Sequence, residues 1–138
     1  MIETVAFRLR PGEDLCVGLE KIAADNNIQA GCVLACVGSL TVAVLRLANR
    51  DEHTTFEGHF EIVSLTGTLS IHGSHLHISI SDPDGRTIGG HLVDGCKVYT
   101  TAEIVIASFP GMVFKRQPCE LSVYDELVVE SVQRSESK

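Results

Sequence analysis

A chain of 138 residues that is 44% hydrophobic is long enough to bury one core and suits a single domain. Its formal charge of −7 repels phosphate backbones, which disfavours direct DNA binding, and no uninterrupted apolar run reaches the roughly 18 residues that a membrane span needs. Its five cysteines are an odd set with no C-x-x-C pair, which argues against a disulfide scaffold and against a thiolate zinc knuckle.

The opening stretch MIETVAFRLR carries Glu3 early and alternates, so it does not read as a signal peptide. A soluble, cytoplasmic (intracellular) protein is expected. Val5, Phe7 and Leu9 share a face at strand period, and Pro11-Gly12 breaks the run. Leu15, Leu19, Ile22 and Ala23 then recur at helical spacing behind Glu13 and Asp14, acids placed where the helix dipole favours them. That helix should end near Asn26-Asn27. Residues 31–47 are rich in Val, Leu and Ala and predict two strands or one bent strand, since a glycine such as Gly38 often marks a bulge. Cys32 and Cys36 lie in this run and read as small buried hydrophobes.

Residues 49–55 are polar and predict a loop. Strands are expected over residues 58–69, 74–81, 87–93 and 97–109, with Pro110-Gly111 turning the chain and Cys119, Leu121 and Val123 alternating once more. The strand over 97–109 is apolar or β-branched on both faces, which calls for cover on both sides. The chain ends in a polar stretch, 129–138, expected to fray. The expected architecture is α+β: one compact domain over residues 1–138, a mostly antiparallel central sheet and one or two flanking helices.

The chemistry concentrates in "GSHLHISISDPDGRTIGGHL", Gly73 to Leu92. Residues two apart on a strand share a face, so His75 and His77 point one way while Leu76, Ile78 and Ile80 point to the core. Pro83-Asp84-Gly85 fits a three-residue hairpin loop with Gly85 in the left-handed position and Asp82 paired with Arg86. Counting back along both strands places His77 opposite His91. A two- or four-residue loop, or a bulge at Gly89-Gly90, would split the set. With the three-residue loop, His75, His77 and His91 form a three-nitrogen face that zinc accepts with a fourth position open. An open zinc site activates water for hydrolysis or hydration. The plainer alternative is three histidines on a polar strand face.

Other candidates are weaker. His72 sits in the turn entering the strand, and His53 and His59 flank a loop. Glu61, Asp94 and Glu103 could serve as outer or fourth ligands, though each is more often a solvated charge. Lys115-Arg116 could hold an anion or pair with a carboxylate, the second being the commoner arrangement. There is no G-x-x-x-x-G-K-[ST] loop, and no G-x-S-x-G elbow around Ser79 or Ser81.

"GHFEIVSLTGTLS" (Gly58–Ser70), "HLHISISDPDGRTIGGHL" (His75–Leu92) and "GCKVYTTAEIVIASF" (Gly95–Phe109), taken in that order, resemble the plants-and-prokaryotes conserved (PPC) domain. The resemblance spans roughly residues 5–128, the expected core. It implies a central antiparallel sheet and assembly as a homotrimer. Plant members carry the domain behind AT-hook segments that contact DNA, and there it mediates self-association and partner binding in transcription. No R-G-R-P core occurs in this sequence. Stand-alone members have no settled activity, and the prokaryotic type keeps the H-x-H and G-G-H-L that His75, His77 and His91 match. The favoured expectation is therefore a homotrimeric binding or interaction module with a three-histidine zinc site, open to a small-molecule ligand. The alternatives are a zinc-dependent enzyme acting on a small substrate and a DNA-associated regulator acting through partners.

Overall fold

The structure, a computed structural model, describes residues 1–133. Eight strands and one helix follow in the order β1 (Glu3–Leu9), α1 (Leu15–Asp25), β2 (Ala30–Arg46), β3 (His53–Ser70), β4 (Gly73–Ser81), β5 (Thr87–Leu92), β6 (Lys97–Ser108), β7 (Met112–Pro118) and β8 (Asp125–Ser131). Six strands make one antiparallel sheet in the order β1-β6-β2-β3-β4-β5, and β7 and β8 make a two-stranded sheet of their own. The α+β class and the dominance of antiparallel strands are as expected, with one helix among the described residues. That helix is not long enough to cross a membrane.

The helix buries Leu15, Leu19 and Ala23 at the spacing read from the sequence, together with Cys16, while Ile22 is only half-buried. Asp14 stands just outside it as the cap, accepting from the Val17 amide at 3.1 Å, a bond that satisfies an otherwise orphaned donor. Its other oxygen accepts from the Gly95 amide at 2.7 Å and so ties the helix to the turn between β5 and β6.

Residues 30–46 form one long strand with register shifts, not two strands. Gly38 permits it: a β-carbon there would lie 2.1 Å from the Thr101 carbonyl oxygen. β3 begins at His53, so the loop expected over 49–55 is shorter, and Thr54 and Thr55 already pair with Leu45 and Val44. The far end of β2 also pairs with β5, Leu45 with Leu92 and Arg46 with His91. This second pairing curls β2, β3, β4 and β5 into a closed ring. Leu40, Leu45, Ile62, Leu76, Ile80 and Leu92 fill it and join the helix residues in one core.

β6 buries Val98, Ala102, Ile104 and Ile106 on the helix side. Its other face carries Tyr99, Glu103 and Val105, the last two opposite Val37 and Ala35 of β2, and Tyr99 and Val37 are exposed. The cover that a strand apolar on both sides calls for is thus incomplete on this face: Ala107 is buried and Val105 half-buried, while Tyr99 is open.

The strand expected at Cys119–Val123 is a turn instead. Cys119 and Tyr124 close it through an amide-to-carbonyl bond of 2.9 Å, Val123 has φ +62°, and Leu121 is 99% exposed. The alternation there faces nothing, so it marks no buried side, and the true strands flank it as β7 and β8. Residues 129–131 of the expected polar tail belong to β8, Val132 and Gln133 follow it, and residues 134–138 lie outside the described residues.

Candidate metal centre

The β4–β5 hairpin has the three-residue loop that its sequence predicts. The Asp82 amide donates to the Arg86 carbonyl at 2.9 Å, and the Gly85 amide donates to the Asp82 carbonyl at 3.0 Å. Gly85 has φ +78°, the left-handed position. The Asp82 carboxylate accepts from the Asp84 and Arg86 amides at 2.9 Å each, which locks the turn. Ser81 then opposes Thr87, and His77 opposes His91.

His75, His77 and His91 therefore converge. Their ring centroids lie 5.1, 5.2 and 5.7 Å apart, and one nitrogen from each lies within 4.8 Å of the others. Tetrahedral zinc bonds of about 2.0–2.1 Å would put such nitrogens about 3.3 Å apart, so small inward rotations of the rings would close the set on an ion. Among the described residues this is the one cluster of three or more potential metal ligands.

Burial pushes the His91 imidazole down to about 4, helped by the Arg46 guanidinium. Burial also lowers His75, with Arg116 as the next cause. Both rings are thus neutral near pH 7, the form that binds a metal. Nδ1 of His91 is buried with no hydrogen-bond partner, a state that typically costs about 1–3 kcal/mol. A metal ion among the rings is the kind of partner this donor set fits.

The site opens on a cleft of about 850 Å³ lined by Arg46, His72, Ser74, His75, His91, Arg116 and Glu126 among others. Arg46 belongs here because the ring closure pairs it with His91. Arg116 arrives from β7: its Nη2 donates to Thr68 Oγ1 at 2.8 Å, and Thr68 is the cross-strand partner of His75. The Arg116 amide donates to His72 Nδ1 at 3.0 Å, so His72 holds β7 in place and stands outside the triad. Lys115 makes the ion pair expected of a basic spot, with Glu130 at 2.9 Å; Arg116 does not.

Glu61, Asp94 and Glu103 lie elsewhere. Glu61 pairs with Ser39 and Ser81, Glu103 faces Arg8 and Val37, and Asp94 sits in the turn after β5 near Cys16. His59 stacks on Tyr99, and His53 opposes Arg46. Arg46 and Glu126 carry no local sequence signal that marks them for the site. Arg46 reaches the site through a pairing between distant strands, and Glu126 lies beyond a turn that reads as a strand. All five cysteines are free, with Cys16, Cys36 and Cys96 buried.

The model of the Plants and Prokaryotes Conserved (PCC) domain family matches residues 1–110. Bifunctional protein GlmU of Synechococcus sp. (strain JA-3-3Ab) is 48% identical over 126 residues, 91% of this chain and 20% of that protein. This chain thus spans about a fifth of the length of the GlmU relatives it matches. AT-hook motif nuclear-localized protein 16 of Arabidopsis thaliana is 32% identical over 124 residues, 83% of this chain and 47% of that protein. Among solved structures, a hypothetical protein of Salmonella enterica superposes with a TM-score of 0.93 at 43% identity, covering 95% of both chains. A metal-containing protein of Archaeoglobus fulgidus shares the fold, with a TM-score of 0.76 at 24% identity over 91% of this chain and 93% of that one.

Proposed function

Because the chain belongs to the Plants and Prokaryotes Conserved (PCC) domain family, we propose that it is a cytoplasmic, homotrimeric binding module in which His75, His77 and His91 hold a zinc ion. One observation carries the metal reading: three imidazoles converge on one point, and His91, one of the two half-buried rings, has a nitrogen with no partner. When bound, zinc supplies a Lewis-acid position open to the cleft. The chain's own residues prepare that position. The hairpin register aims His77 and His91 together, and burial keeps the His75 and His91 rings uncharged, each with one ring nitrogen free to bind. Trimer formation is supported by the family resemblance and by the bare face around Val37 and Tyr99.

A second reading, a zinc-dependent enzyme acting on a small substrate, has one observation in its favour. The Glu126 carboxylate lines the same cleft as His75 and His91, where it could take or give a proton. A regulator that acts on DNA through partners has only the AT-hook relatives behind it, and the net acidic charge opposes direct contact.

The test is metal content by mass spectrometry on untagged protein purified without chelator, together with the triple variant His75→Ala, His77→Ala, His91→Ala. About one zinc per wild-type chain is expected, and none in the variant, whose sheet should persist by circular dichroism. Stoichiometric metal in the triple variant would refute the assignment.

A further inference from the structure

Two guanidinium groups line the same cleft as His75 and His91. Arg46 is the cross-strand partner of His91, and Arg116 is bonded to Thr68, the cross-strand partner of His75. Both are half-buried, and neither takes part in an ion pair among the described residues. Paired cations beside neutral imidazoles are an odd surrounding for a divalent ion, since like charges at close range repel. Of the carboxylates at the cleft, Asp125 is exposed, and Glu126 has one oxygen accepting from Ser122 Oγ at 3.0 Å. An oxyanion between the arginines would offset that positive charge. Forked N–H donors suit carboxylate and phosphate oxygens, where a lysine would offer only a point charge.

We propose that the cleft takes a small molecule bearing a carboxylate or phosphate group, with Arg46 and Arg116 gripping the oxyanion against the position left open by the three histidines. The proposal rests on the metal reading and adds the class of ligand. The second arginine lies on β7, beyond the residues that the family model matches, so this wall of the cleft belongs to the part of the chain outside that match.

The protein loaded with cobalt(II), whose visible bands report its coordination, would be titrated with inorganic phosphate and separately with malonate. The arm that changes the spectrum saturably identifies the oxyanion. Arg46→Gln and Arg116→Gln should each weaken that binding by about tenfold or more while cobalt stays at one per chain. Arg46 makes no side-chain hydrogen bond within the described protein, so its variant reads the contact even where loss of the Arg116–Thr68 bond disturbs folding. Metal-loaded wild type whose spectrum ignores both anions overturns the proposal and leaves the three-histidine reading intact. Equal anion affinity in wild type and both variants overturns it as well. Should the protein bind no cobalt, the metal reading fails, and calorimetry of the metal-free protein with the same anions decides the rest. Binding weakened by Arg46→Gln supports the arginine grip, and absence of binding overturns it.

Discussion

The β4–β5 hairpin turns in three residues around Gly85 and is flanked on both sides, by β3 along β4 and by β2 at His91 and Leu92. The β7–β8 hairpin turns in six, Cys119 to Tyr124, and stands as a two-stranded sheet of its own. It is tied to the rest by Phe114, whose amide and carbonyl bond to Gln29 and Ile71, and by Arg116. A lone two-stranded hairpin is marginal in water, so those ties decide whether it holds. The comparison separates two ways of placing a side chain. The histidines are positioned by sheet register, which moves in whole residues, and Arg116 and Glu126 by a few docking bonds.

The widest break in this contrast should come from Gly67→Ala. Gly67 has φ +154°, and a β-carbon there would sit 2.0 Å from the His75 carbonyl oxygen. The variant should lose about 3 kcal/mol in urea unfolding, and metal binding should fall with it, because β3 and β4 must part where the site begins. An alanine variant of wild-type stability would mean that register is less constrained than the close approach implies.

Acid should loosen the same hairpin. His91 is pushed below its unfolded value of 6.5 to about 4, so the unfolded chain binds the proton more readily between those values. Stability of the metal-free protein should therefore be full above pH 6.5 and decline as pH falls toward 4. The loss is on the order of 1–2 kcal/mol once solvent screening of a half-buried ring is allowed for. Unfolding midpoints of wild type and His91→Gln across that window isolate the effect, since the variant should lack this part of the slope.

On the other hairpin, Val123→Asn should stabilise by about 1 kcal/mol. Val123 is 81% exposed with φ +62°, a conformation that β-branched residues resist and asparagine accepts. A raised melting temperature with unchanged metal content would show that the two hairpins are energetically separate. Least of all, Lys115→Ala should cost under about 0.5 kcal/mol despite its 2.9 Å pair with Glu130, because the pair lies at the surface with its carboxylate half-exposed. A larger loss by thermal unfolding would mean that this ion pair is a main tie of β7 to β8.

The same contrast explains what could be read from the sequence. Pro83-Asp84-Gly85 names its own turn, and once the loop length is known the pairing of His77 with His91 follows by counting. Cys119 to Tyr124 has no glycine or proline to announce a turn, and its left-handed residue is a valine. Its apolar alternation imitates a strand, while the polar Lys115-Arg116-Gln117 hides a real one. The ring closure was equally hidden. Leu45 with Leu92 and Arg46 with His91 are contacts between distant segments that no local pattern encodes, so Arg46 could not be placed even though its neighbour could.

The pairing of Arg46 with His91 also bears on the order in which the molecule assembles. The three imidazoles lie on one hairpin, and contacts so close along the chain form early in folding. Arg46 must wait for β2 to meet β5 across the whole excursion of β3 and β4, and Arg116 for a hairpin made later still in synthesis. The histidine cluster can thus exist in a chain that is not yet closed, whereas the paired arginines exist only in a finished one.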